Sequence, residues 1–188
     1  MPRVLVPLAP GVEELEAVTV IDLLRRAGIE VVVAGVEPGP IRASRGVVLL
    51  PDVLLTEVAT ETFDLVVLPG GLEGSRRLAE NDWVKEALER ALGGGRRVAA
   101  ICAAPEVLRR AGLLRGRRVT SFPGAIAPDD TSYSYVEDSV VVDGPVTTSR
   151  GPGTAMDFAL SLIEQLSGGE VRARVEQGLV RQTETARA

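Results

Sequence analysis

The chain has 188 residues, 45% of them hydrophobic and 25% charged, with a formal net charge of −5. That length suits one domain with a full-sized core, the composition is ordinary for a soluble globular protein, and the acidic balance argues against a broad nucleic-acid surface. With one cysteine and no histidine, an internal disulfide, a Ser-His-Asp or Cys-His pair and any zinc site built on histidine are excluded.

A general base must therefore be a carboxylate, a tyrosine, the thiolate itself or Lys85, the only lysine. Met1 leads directly into Val4-Leu5-Val6-Pro7-Leu8 without a charged leader. No run reaches the ~20 apolar residues of a membrane span. A cytoplasmic protein without membrane contact is expected.

Arg3 to Leu8 reads as a first strand, and Pro10-Gly11 turns the chain. Glu13 to Ala27 reads as a helix closed by Gly28. Three glutamates fill its first turn, where negative charge suits the helix dipole. In helical projection Ala17, Val20, Leu23, Leu24 and Ala27 share one face, and Glu13 and Glu16 fall on it. A glutamate on a buried face is expensive without a partner. Either both escape to solvent at the helix end, or one points into a pocket.

Ile29 to Ala34 is a second strand, and Ile41 to Leu50 reads as a small hairpin around Arg45-Gly46. Asp64 to Leu68 is a third main strand ending in Pro69-Gly70-Gly71. Asn81 to Leu92 is an amphipathic helix. A strand up to Cys102 follows, then a helix to Ala111. Val119 to Ser121 is a short strand, and Ser139–Val142 and Val146–Thr148 flank an Asp143-Gly144 hairpin turn. Gly151-Pro-Gly-Thr154 opens a last long helix to Leu166, and residues after about 183 read as frayed. The pairs Arg96-Arg97 and Arg117-Arg118 read as solvated strand entries.

Strands alternating with helices imply a parallel sheet covered on both faces. Ligands of such sheets bind beyond the carboxyl ends of the strands. The loops there are Pro7–Glu16, Pro69–Ser75, Cys102–Pro105, Phe122–Tyr135 and Arg150–Gly153.

In Arg97-Val98-Ala99-Ala100-Ile101-Cys102-Ala103-Ala104-Pro105 an apolar strand ends on the cysteine and a helical pattern follows, with alanines on either side. That pattern fits a nucleophile elbow, where a helix N-terminus would lower the thiol pKa. A buried lone cysteine acting as a small core residue is the competing reading. Gly70-Gly71 with Gly74 and Ser75 lacks the Lys-Ser/Thr of a phosphate loop. Gly151-x-Gly153 reads as a capped helix start that uses Thr154. No cofactor or metal is expected. A thiolate site assembles best: Cys102 as nucleophile, the Gly71 and Ala103 amides as oxyanion donors, and Glu16 as proton carrier.

The stretches Gly11-Val-Glu-Glu-Leu-Glu16, Leu24-Arg-Arg-Ala-Gly28, Val67-Leu-Pro-Gly-Gly71, Ala99-Ala-Ile-Cys-Ala-Ala-Pro105 and Thr148-Ser-Arg-Gly-Pro-Gly-Thr154 together resemble the ThiJ/PfpI superfamily, and more narrowly its parkinsonism-associated "DJ-one" branch. The resemblance implies a flavodoxin-like three-layer α/β/α sandwich with a mostly parallel sheet, usually homodimeric. It implies a nucleophilic Cys102 hydrogen-bonded by Glu16, oxyanion amides at Gly71 and Ala103, and a pocket near Gly70 with an arginine at Arg45. Where relatives carry histidine before proline, this chain has Phe122.

The function expected is a cofactor-independent glyoxalase or deglycase acting on small carbonyl compounds or glycated protein. The alternatives are a redox sensor or holding chaperone based on oxidisable Cys102, and an amidase or protease deprived of its histidine.

Overall fold

The computed structural model describes residues 1–181; the tail expected to fray lies outside them. Its core is a seven-stranded sheet. The strands are β1 (Arg3–Leu8), β2 (Glu30–Gly35), β5 (Val53–Leu54), β6 (Leu65–Leu68), β7 (Arg97–Ile101), β10 (Val140–Asp143) and β11 (Val146–Ser149). The spatial order is β10-β11-β7-β6-β1-β2-β5. Only the β10–β11 pair is antiparallel. The five long parallel strands, counted along the chain, thus run 2-1-3-4-5. That is the flavodoxin-like order, and its switch point lies between β1 and β6.

The strands are apolar on both sides because both faces are covered. Val4, Val6 and Leu8 pack with α1 (Glu14–Arg26) and α6 (Ala155–Ser167). Leu5 faces the other core, built with α4 (Asp82–Gly93) and α5 (Pro105–Arg110). Helices on two faces of a mostly parallel sheet make the expected three-layer sandwich.

Helix α1 is capped by Glu13, whose carboxylate accepts the Glu16 N–H at 2.9 Å. The hairpin expected around Arg45-Gly46 forms from β3 (Ile41–Arg42) and β4 (Val48–Leu49).

Some elements differ from the sequence reading. The residues after Gly71 form a helix, α3 (Leu72–Ala79), rather than an open glycine loop. Gly74 serves its packing: a Cβ there would stand 2.8 Å from Val12 Cα. A short α2 (Leu55–Val58) and a final α7 (Gly169–Gly178) were not anticipated. Each buries too little to leave a pattern; in α7 only Val175 is buried.

The strand expected at Val119–Ser121 is β8 (Arg118–Val119), paired outside the main sheet with β9 (Ser134–Tyr135). Thr154 does not cap α6. Its hydroxyl ties back to Gly151 across the Pro152–Thr154 turn, bonding the carbonyl at 2.9 Å and the N–H at 3.1 Å. Arg97 and Arg117 are half-buried rather than solvated, and donate to the Gly144 and Asp143 carbonyls that close the β10–β11 hairpin.

Candidate active site

All five loops expected at the carboxyl ends of the strands meet around one cleft of about 610 Å³. Its wall includes Gly11, Gly71, Cys102, Phe122 and Pro152, one from each loop, and Arg45 from the β3–β4 hairpin. Among the described residues no helix is long and apolar enough to cross a membrane, and no group of three or more metal-ligating side chains occurs.

Cys102 leaves β7 with φ +64°, a left-handed conformation that costs an L-residue roughly 1–2 kcal/mol. Neighbouring strands hold it there. Its N–H donates to Ser149 O at 3.0 Å, and its carbonyl accepts from Phe122 N–H at 2.8 Å. The residue is 8% exposed, so the thiol faces the cleft from an otherwise buried position.

Glu16 is fully buried. Its Oε2 accepts the Gly70 N–H at 2.8 Å, and its Oε1 is buried with no hydrogen-bond partner. Gly70 does not line the cleft as expected; it lies behind it, between the two reactive side chains. A Cβ on Gly70 would stand 2.5 Å from Glu16 Oε2 and 2.6 Å from Cys102 Cβ. Gly71 has φ +90°, and a Cβ there would overlap the Gly11 carbonyl. Glycine at both positions lets the backbone pass close enough for the Gly71 N–H, with that of Ala103, to favour the charged form of the thiol.

Burial pushes the Glu16 pKa up to about 7, against the lowering effect of the Gly70 N–H and the Cys102 thiol. Burial, then the charge of Glu16, push the thiol up to about 12, against the two backbone donors. This corrects the expectation that a helix terminus alone lowers the thiol. Helix α5 begins only at Pro105 and has 6 residues, so its dipole is weak and displaced from the sulfur. The two groups titrate as a unit, and between those values the pair holds one proton.

Residues 2–165 match the family model described as the DJ-1/PfpI family. The chain belongs to the DJ-1/PfpI family. It is 49% identical over 178 residues to protein dj-1beta of Drosophila melanogaster, covering 94% of this chain and 95% of that protein. The crystal structure of that DJ-1beta superposes with a TM-score of 0.93 at 47% identity, covering 97% of this chain and 99% of that one. The glutathione-independent glyoxalase DJR-1.2 of Caenorhabditis elegans is 37% identical over 158 residues, covering 84% of each chain. The oxidized DJ-1 of Toxoplasma gondii superposes with a TM-score of 0.91 at 39% identity, covering 97% of this chain and 100% of that one.

Cys102, Glu16, Gly71 and Ala103 lie next to one another in the structure. Phe122 lines the cleft and is 47% exposed. Arg45 lies on its wall. The residue that sequence reasoning passed over is Glu14. In the sequence it is an ordinary first-turn charge, yet it is buried against the hairpin. Its partners belong to a distant segment, so helical projection gave no sign of them.

Burying Glu16 has a pH signature. In the coupled pair the first proton leaves near 7, above the ordinary carboxylate value of 4.5, so the stability tied to that proton is complete below about pH 4.5 and is lost as pH rises through about 7. A Glu16→Gln variant lacks that loss. Its stability relative to the parent protein is expected to grow between pH 5 and pH 8, by at most about 3 kcal/mol, when urea unfolding is followed at both pH values. Parallel pH dependence in the two proteins would contradict this account.

Proposed function

We propose that this chain is a cofactor-independent cysteine enzyme of glyoxalase or deglycase type, acting on α-oxoaldehydes or their adducts. The observation that carries the reading is the wholly buried Glu16, one of whose oxygens lacks a partner, beside a cleft-facing Cys102. The membership of a named glyoxalase among its relatives supports it.

The hydrogen bonds favour one arrangement of the shared proton. The sulfur faces two N–H donors, from Gly71 and Ala103, whereas the Glu16 carboxylate has a single donor, Gly70. With the proton on Glu16, the carboxyl can donate to the neighbouring sulfur, which is then a thiolate beside the Gly71 and Ala103 amides. The thiolate then attacks the aldehyde carbon of methylglyoxal, and Glu16 protonates the resulting oxyanion to give a hemithioacetal. The Glu16 carboxylate next removes the proton from that carbon and returns it to the adjacent carbon, while the hydroxyl proton passes from the first oxygen to the second, through an enediol. The product is a lactoyl thioester, and water releases lactate and restores the thiol. Methylglyoxal plus water becomes lactate, with no external oxidant or reductant.

Amide hydrolysis needs a donor to protonate the leaving amine. No histidine is present to serve as one, and Phe122 adds apolar surface to the cleft instead. A second reading, oxidation of Cys102 to a sulfinate, is favoured by the same thiolate and by the solved oxidized relative; a gain of two oxygens on mild peroxide treatment without turnover would select it. A cytoplasmic location accords with both readings.

The chain is also proposed to form a homodimer, because Leu15 and Val18 on α1 and Val47, Val48 and Leu50 on the hairpin leave apolar side chains exposed.

Iodoacetamide labelling of Cys102 is expected to rise with an inflection near 7, where the pair loses its first proton, below the free thiol value of about 8.5. A rise only toward 12 would leave the proton on sulfur and remove the activated nucleophile.

Methylglyoxal should be converted to lactate without added cofactor. Glu16→Gln should lower that rate by about 10²–10⁴-fold, the range for one acid/base group. Unchanged turnover in the variant would remove Glu16 from the chemistry, and robust peptide cleavage would overturn the aldehyde reading.

Sedimentation equilibrium at micromolar concentration should return the mass of two chains; a mass of one chain counts against the dimer.

A further inference from the structure

The first turn of α1 carries one carboxylate that this chemistry does not use. Glu14 is 9% exposed and lies outside the cleft wall. Its side chain meets the turn between β3 and β4. One carboxylate oxygen accepts Ser44 Oγ at 2.9 Å; the other accepts Arg45 N–H at 2.8 Å and, more weakly, Val47 N–H at 3.5 Å. Burial works to raise the Glu14 pKa, but these donors and the residue's own N–H outweigh it, so the carboxylate stays ionised.

Two backbone hydrogen bonds join the same segments: Gly11 N–H to Arg42 O at 2.9 Å and Ser44 N–H to Val12 O at 2.8 Å. The hairpin needs such ties. Its strands are two residues each and pair only with one another, and an isolated hairpin is marginal in water.

What the hairpin presents to the cleft is positive charge. Arg42 and Arg45 both line it, as do Glu13 and Glu73. The two carboxylates are engaged, Glu13 by the Glu16 N–H and Glu73 by Arg76 and Arg77 at 2.7 and 2.8 Å. Among the described residues, no carboxylate lies within ion-pair distance of Arg42 or Arg45.

We propose that Glu14 is a positioning residue that holds Arg45 over the mouth of the Cys102 cleft, so that the site selects electrophiles carrying negative charge beside the carbon that sulfur attacks. This rests on the cleft being the substrate site, but its test requires no turnover.

Iodoacetate and iodoacetamide differ chiefly in charge, and each alkylates a thiolate by forming a carbon–sulfur bond as iodide leaves. The ratio of their second-order rate constants cancels changes in thiol pKa. It is measured on the full chain at low ionic strength. The parent protein should favour iodoacetate relative to the ratio shown by free glutathione. Arg45→Ala should lower the ratio by about fivefold, the factor that one unit charge a few ångströms away is worth in water, and Arg45→Lys should restore most of it. Glu14→Ala should lower it as Arg45→Ala does, and the Glu14→Ala/Arg45→Ala double variant should fall no further. High salt should erase the differences.

A parent-like ratio in folded Glu14→Ala, or in Arg45→Ala, overturns the proposal. Should Glu14→Ala not fold, Glu14→Leu, which fills the same space without an acceptor, is read in its place, and the folded Arg45→Ala variant stays decisive by itself. Because alkylation needs only an accessible thiolate, absence of glyoxalase turnover leaves this outcome readable on its own.

Discussion

The structure turns on the close approach of two acids that share a proton. A fully buried carboxylate is expensive in an apolar interior, and Glu16 meets that cost with one backbone N–H and a neighbouring thiol. Everything around the cleft follows from keeping those groups in contact. Gly70 must be a glycine because the backbone passes between Glu16 and Cys102. Gly71 must take a left-handed φ so that its N–H turns toward the sulfur. The switch point between β1 and β6 supplies the location: α1 and α3 leave on opposite sides of the sheet there, which opens the crevice into which Glu16 reaches.

Three glutamates in one helical turn do three different things. Glu13 accepts the free N–H of Glu16 and so fixes the helix start. Glu14 faces sideways and ties down the hairpin. Glu16 points inward to the cysteine. Three acids so close together repel one another, and the helix dipole offsets part of that repulsion. Each has its own set of donors, so the repulsion is tolerated and one turn of helix registers cap, cleft wall and reactive pair against one another. A displacement of α1 would disturb all three, and its packing against α6 through Val20, Leu24 and Phe158 opposes such movement.

Much of this was legible in the sequence. The alternation of strands and helices gave the layers, and Cys102 at the end of an apolar run gave the elbow. The projection of Glu16 onto a buried face gave the pair. Its weak points share a cause: the deciding contacts are non-local. Glu14 looks like an ordinary first-turn acid until the hairpin 30 residues later folds onto it. Helix α3 was obscured by glycines that serve packing rather than turning. The raised pKa values of the pair depend on burial and mutual charge, which no spacing rule reports. The helix expected immediately after Cys102 starts only at Pro105 and is short, so its terminus does little for the thiol.

Phe122 shows how an apolar side chain can line the site without bearing on its frame. Its N–H still holds the Cys102 carbonyl, a role any residue but proline can fill, so the elbow is indifferent to the side chain. The ring rests against Gly151, where a Cβ would come within 3.4 Å of it, and covers part of the cleft that an imidazole would have left polar. A phenyl ring there brings no titrating group and leaves the backbone scaffold of Cys102 in place. In the proposed chemistry Glu16 is then the one proton carrier. One carrier suffices for moving a proton between adjacent carbons, since the same group takes and returns it. Expelling an amine calls for a second donor at the leaving nitrogen, and the chain has no histidine to serve as one.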